Sequence, residues 1–145
     1  MKIIINTDGA SRGNPGKGAI GVVISNSKGE VLKKYAEYLG DRVTNNEAEY
    51  EAVIFSFKKL KLLFGKDKIK TMEIEFRSDS ELLVNQMNGK YKISEGRLQE
   101  LFMTIWNLRV ESGKISFVHI PREKNKEADI LANYALDENS KRSLF

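Results

Sequence analysis

No cysteine occurs among the 145 residues, which excludes disulfides, thiolate chemistry and zinc sites built on sulfur. Proline occurs twice and histidine once. There is no Pro/Ser-rich linker, low-complexity tract or internal repeat to mark a domain boundary. The N-terminal apolar run Ile3-Ile4-Ile5 gives way to Asn6-Thr7-Asp8 and is too short for a signal peptide or a membrane span. The expectation is a cytoplasmic, monomeric protein with no membrane partner.

What is present is an ordinary globular composition, 41% hydrophobic and 30% charged. A chain of this length buries about two-thirds of the surface its unfolded form exposes. Residues 1–145 are therefore expected to form a single domain around one core. The formal charge of +4 and a pI near 9.2 suit a polyanionic partner, because a basic surface attracts phosphates and releases their counterions.

Patterning supplies the elements. Lys2 to Asp8 is an apolar run predicted to form a buried strand that ends at a carboxylate. Gly18–Ser25 and Glu30–Leu39 are predicted strands joined by the turn Asn26-Ser27-Lys28-Gly29. Thr44-Asn45-Asn46-Glu47 has capping-box spacing, so a helix is expected from there to Gly65. Met72, Ile74 and Phe76 alternate with charged residues as a strand leading to Ser78-Asp79-Ser80. A short helix around Leu82, Leu83 and Met87 should stop at Gly89. Ser94 is expected to cap a longer helix that ends at Gly113, with Trp106 in the core beside Phe102 and Ile105. Ile115, Phe117 and His119 mark a last strand, and Asn125 is expected to cap a last helix. The order β-β-β-α-β-α-α-β-α implies an α/β fold: a five-stranded mixed sheet, its first three strands antiparallel, with helices on both faces.

Four acids fall where strands end or helices begin: Asp8, Glu49, Asp79 and Asp129. Singly, each is explained by turn chemistry or by the helix dipole. Together they can meet at one end of the sheet. Crowded carboxylates repel unless a hard divalent cation lies between them.

The contexts of these acids carry more information. Thr7-Asp8-Gly9-Ala10-Ser11-Arg12-Gly13-Asn14-Pro15-Gly16 resembles the TDG-x3-GNPG opening of the type 1 ribonuclease H family. Thr44-Asn45-Asn46-Glu47-Ala48-Glu49 resembles its TNNxxE, Ser78-Asp79-Ser80 its (S/T)DS, and Asn125-Lys126-Glu127-Ala128-Asp129-Ile130-Leu131-Ala132 its NxxADxLA. The motifs keep the family's order from residue 7 to residue 132.

The resemblance implies endonucleolytic hydrolysis of the RNA strand of RNA/DNA hybrids, leaving 5′-phosphate and 3′-hydroxyl ends, with double-stranded RNA as an additional substrate. It implies Mg2+ as cofactor, with Mn2+ as a substitute. Asp8 would bridge two ions, with Glu49 and Asp79 on one side and Asp129 on the other. Gly9, Ser11 and Glu49 would meet ribose 2′-hydroxyls, Asn14, Asn45 and Asn46 the two strands near the cleft, and Arg42 and Thr44 a phosphate of the DNA strand.

Two features depart from the common pattern. His119 sits in a predicted strand and not in a mobile loop before Asp129, so Arg122 is the candidate to contact the scissile phosphate as a fixed cation. The connection Asn88–Ser94 is too short for the basic protrusion of some members, although Lys90, Tyr91 and Lys92 are available to DNA phosphates. The lysines between Lys58 and Lys70 are expected to be a solvated helix end. Both departures resemble the archaeal and plant-like branch. The competing readings are a binding module that has lost activity and a ribonuclease H-like domain cut from a polymerase or integrase. Four intact acids oppose the first, and TNNxxE opposes an integrase.

Overall fold

The computed structural model describes residues 1–142. Strands β1 (Lys2–Arg12), β2 (Gly16–Asn26) and β3 (Val31–Val43) form an antiparallel meander. Helices α1 (Asn45–Phe64) and α2 (Lys66–Ile69) lead to β4 (Glu73–Ser78), and helices α3 (Glu81–Met87) and α4 (Gly96–Val110) to β5 (Lys114–His119). A 3-10 turn, Arg122–Lys124, precedes α5 (Lys126–Arg142). The sheet order is β3-β2-β1-β4-β5, with β1, β4 and β5 mutually parallel. The expected mixed sheet is present, and the short α2 is an addition to it. Among the described residues no helix is long and apolar enough to cross a membrane.

Residue alternation explains how the two helical layers come to lie on opposite faces. Gly9 is paired with Ile20, and its missing side chain leaves room for the Ala48–Glu49 backbone of α1. Gly21 is paired with Asp8, so it lies on the other face, where it makes the same room for Ala128 of α5. The α1 side holds the main core, with Ile3, Ile5, Ile74, Phe76 and Phe117 from the sheet packed against Val53, Phe57, Leu60, Leu101 and Ile105. The α5 side is thin: Ala19, Ala135 and Leu136 form the buried contact. Small residues there let α5 approach the sheet closely.

The capping box forms as predicted. Thr44 Oγ1 accepts from the Glu47 N–H at 3.1 Å, and the Glu47 side chain accepts from the Thr44 N–H. Ser94 does not cap α4. Ile93 packs against the core and its carbonyl accepts from the Gln99 side chain at 2.9 Å, so the helix starts beyond it with Glu95 as N-cap. Gly113 does not end α4 either. The helix stops at Val110, and Gly113 serves the start of β5, where a Cβ would strike the Met72 carbonyl. Trp106 is not in the core: it is 49% exposed, stacked on Phe102. The inward stripe of α4 is Leu98, Leu101 and Ile105, and Trp106 lies just outside it.

Lys61 pairs with Glu111, while Lys59 and Lys68 lie over aromatic rings, so part of this basic group packs against the protein.

Candidate active site

The parallel pairing of β1 with β4 ends at Asn6 opposite Arg77. Beyond it the two strands part. β1 does not end at Asp8, as expected from the sequence; it continues to Arg12 on its pairing with β2 alone. Asp8 therefore stands in mid-strand beside the gap left by β4, and Asp79 is the first residue after β4. Crevices of this kind, at the carboxyl ends of parallel strands, are where open α/β sheets bind ligands. Glu49 enters from the second turn of α1 and Asp129 from the first turn of α5.

The four acids converge on a cleft of about 560 Å³ that Asp8, Glu49, Asp79 and Asp129 line together. Asp8, Glu49 and Asp79 each bring one oxygen within 4.8 Å of the others. Asp129 also lies close enough to Asp8 to raise its carboxyl, so Asp8 stands between Asp79 and Asp129. Asp8 and Glu49 are almost wholly buried. Burial, reinforced by Asp79 and Asp129, pushes the Asp8 carboxyl up to about 8, with Arg122 partly opposing. Burial and then Asp8 raise Glu49 well above the usual range, against the opposing pull of the Gly9 N–H and the Ser80 hydroxyl. Such a group must hold protons or cations to be neutralised. Its donors are all carboxylate oxygens, which suits a hard divalent ion.

Nine of the residues singled out from the sequence line this cleft: the four acids, Gly9, Ser11, Asn45, Asn46 and Arg122. Some of their donors are already used. The Gly9 N–H donates to Glu49, the Ser11 N–H to Asn45 Oδ1 at 2.9 Å, and Ser11 Oγ to the Val43 carbonyl at 2.5 Å. Arg122 is 87% exposed, with Nε 3.9 Å from Asp79. Asn14 lies one step behind, its Oδ1 accepting the Asn45 N–H at 2.9 Å. Thr44 is the cap, and Arg42 lines a neighbouring cleft with Glu47, Glu51 and Arg97. His119 is the last residue of β5, opposite Ser78, exposed and outside the lining.

Three residues of the site were not picked out as such from the sequence. Ser80 lines the cleft, caps α3 through its hydroxyl and touches Glu49. Asn133 donates to the Asp129 carboxylate at 3.2 Å; it is four residues on, one helical turn away, a spacing that would have found it. Asn125 was expected as a helix cap. Its backbone carbonyl does accept from the Asp129 N–H, but its side chain turns inward to the Thr7 carbonyl at 2.8 Å and to Asp79 at 3.5 Å. Nothing local marks that choice.

This sheet order, with a carboxylate-lined cleft where β1 and β4 part, defines the chain as a ribonuclease H-like α/β domain. The model of the reverse transcriptase-like family matches residues 6–135. A ribonuclease HI of Halobacterium salinarum is 37% identical over 90% of this chain and 62% of its own length. A bifunctional protein of Mycobacterium tuberculosis is 36% identical over 94% of this chain and 36% of its own. The chain thus spans less than two-thirds of these curated relatives. Among solved structures, LC11-RNase H1 in complex with an RNA/DNA hybrid superposes with a TM-score of 0.89 at 48% identity, covering 94% of this chain and 98% of that one. The chain belongs to the type 1 ribonuclease H family.

Proposed function

We propose that this chain is an endoribonuclease that hydrolyses the RNA strand of RNA/DNA hybrids by a two-metal-ion route, leaving 5′-phosphate and 3′-hydroxyl ends. The observation that carries the proposal is the convergence of four carboxylates, two of them buried, in one open cleft. The hybrid-bound relative supports the substrate class.

In this reading Asp8, Glu49 and Asp79 would hold one divalent ion, and Asp8 with Asp129 would hold a second. When bound, such ions neutralise phosphate charge and favour in-line attack by water. The protein's own contribution is placement. Gly9 and Ser80 orient Glu49, Asn133 orients Asp129, and the backbone of β1 carries Asp8. Ser11 Oγ, whose proton goes to Val43, retains acceptor capacity for a ribose 2′-hydroxyl, and that hydroxyl is the handle that separates RNA from DNA. The Asn45 and Asn46 side chains flank the same wall, while Asn14, Arg42 and Thr44 would act farther out along the duplex.

Offering labelled RNA in a hybrid, in an RNA duplex and alone, each with Mg2+ or Mn2+, tests the reading. Cleavage of the hybrid is expected with either ion, and cleavage of the RNA duplex as a slower second activity. Asp79→Asn should lower hybrid cleavage by about 10²-fold, the scale for losing one preorganised electrostatic group. Wild-type rates from Asp79→Asn would defeat the metal-site reading.

Arg122 and His119 separate by position. Arg122→Ala is expected to lower kcat on the hybrid by about tenfold, as loss of an exposed charged contact of roughly 1.4 kcal/mol would. His119→Ala should leave kcat unchanged, since the imidazole lies outside the cleft lining. Steady-state kinetics of the two variants side by side decide this, and equal rates for Arg122→Ala and wild type would remove Arg122 from the mechanism.

A further inference from the structure

Asn125 is a polar side chain with 2% exposure whose amide nitrogen and oxygen are both hydrogen-bonded. Its Nδ2 donates to the Thr7 carbonyl at 2.8 Å and, in a longer contact, to Asp79 Oδ1 at 3.5 Å. Its Oδ1 accepts from Asn6 Nδ2 at 3.1 Å. One amide thus touches the peptide that leads into Asp8 and the carboxylate of Asp79, while its backbone carbonyl accepts the N–H of Asp129 at 3.2 Å. Strands β1 and β4 have no ladder to hold them together past Asn6 and Arg77. Asn125 spans the gap at that point.

A side-chain amide has a donating end and an accepting end, and rotating it by half a turn exchanges them. Toward Thr7 and Asp79 only the donating end is tolerable, because both partners are acceptors. The reversed amide would set oxygen against oxygen in a buried place, losing its hydrogen bonds there. Thr7 and Asp79 thus set which way round the amide sits, and Asn6 closes its accepting end. Asn6 Nδ2 donates to the Asn125 oxygen while the Asn125 NH2 group serves Thr7 and Asp79, so the side chain is held from both ends. Asn6 is half-buried and lines, with Asn125, Arg77 and Lys124, a second cleft of about 270 Å³, separate from the acidic one.

We infer that Asn6 and Asn125 form a positioning pair, in which Asn6 holds the Asn125 side chain seated between Thr7 and Asp79 and so keeps Asp8 and Asp79 at ion-binding separation. The inference rests on the metal-site reading above. Neither side chain touches substrate; both act through the carboxylates. Asn125 is one hydrogen bond removed from Asp79 and Asn6 two, and partners next to a metal ligand typically change metal affinity or activity by about 10- to 100-fold when lost.

The test uses Asn6→Leu, which keeps the shape of asparagine but cannot donate, together with Asn125→Ala and the double variant. Mn2+ binding is measured by titration calorimetry, kcat and KM on the hybrid by kinetics, and metal-free stability by thermal unfolding. Asn6→Leu is expected to weaken Mn2+ binding and lower kcat by about tenfold each with KM unchanged, and to lower the metal-free unfolding temperature modestly because the buried Asn125 oxygen loses its donor. Asn125→Ala should lose more, and adding Asn6→Leu to it should cost nothing further. Wild-type Mn2+ affinity in Asn6→Leu, a change in KM alone, a lowered unfolding temperature without a change in affinity, or losses that add in full in the double variant would each overturn the pair. If Asn125→Ala does not fold, Asn6→Leu decides alone. Failure of the wild-type protein to bind Mn2+ would instead defeat the metal site, and the pair with it.

Discussion

Asp8→Asn is expected to abolish hybrid cleavage and, in the absence of metal, to make the protein more stable. Asp8 lies beside both Asp79 and Asp129, and it adds to the charge that raises Glu49. Its loss should weaken both proposed ion sites together and cost about 10³-fold or more, at the upper end of what removing one preorganised group costs. The stability effect has the opposite sign because the ionised carboxylate is buried among its like. Its carboxyl titrates at about 8 in the folded chain against an ordinary value of 3.8. Between those pH values the folded protein holds a proton that the unfolded chain has released. The contribution is therefore complete below pH 3.8 and is lost as pH rises toward 8, at up to roughly 1.4 kcal/mol per pH unit. Glu49, raised for the same reasons, acts in the same direction.

Thermal unfolding in EDTA at pH 5 and pH 8 measures this. Wild type should unfold at a lower temperature at pH 8 than at pH 5, whereas Asp8→Asn should lose much less. The variant should be the more stable of the two at pH 8. Adding Mg2+ at pH 8 should raise the wild-type unfolding temperature and leave the variant almost unmoved, since a ligand stabilises only the state that binds it. A variant less stable than wild type at pH 8 without metal would show that the carboxylates are not in conflict.

Gly9→Ala should destroy both fold stability and activity through a single methyl group. A Cβ there would fall well inside contact distance of the Ala48 carbonyl carbon and the Glu49 nitrogen, both backbone atoms in a helix that cannot turn aside. α1 must then shift away from β1, at a cost of about 3 kcal/mol or more, beyond the usual range for overpacking. The shift carries Glu49 away from the Gly9 N–H and from Asp8. Denaturant unfolding with and without Mn2+ checks both effects: lowered stability is expected, and the remaining folded protein should gain little from the ion. Wild-type stability in Gly9→Ala would mean that α1 does not approach β1 as closely as described.

What could be read along the chain differs from what could not by the range of the interaction responsible. The Thr44–Glu47 capping box spans three residues, and both of its hydrogen bonds form as the spacing requires. The strand before Asp79 is equally local, since alternation of Ile74 and Phe76 with charged neighbours is complete within β4. Ser94 and Gly113 have good cap chemistry and yet do not bound α4, because Ile93 docks in the core and Gly113 is needed beside Met72. Trp106 follows the apolar period of α4 closely enough to look buried. Leu98, Leu101 and Ile105 fill the inward stripe, and Trp106, one position beyond Ile105, is turned to solvent.

The four carboxylates show the same division. Sequence alone named them and their order, because each lies in a short motif whose turn or helix start is specified by its neighbours. Only the tertiary structure made them one site, since Asp8, Glu49, Asp79 and Asp129 come from four elements whose distances depend on where β1 parts from β4 and how closely two helices approach two glycines. The same is true of Asn125. Its side chain could have capped its own helix, and it turns inward because Thr7, Asp79 and Asn6, all more than 40 residues away, offer partners that a buried amide cannot leave unmet.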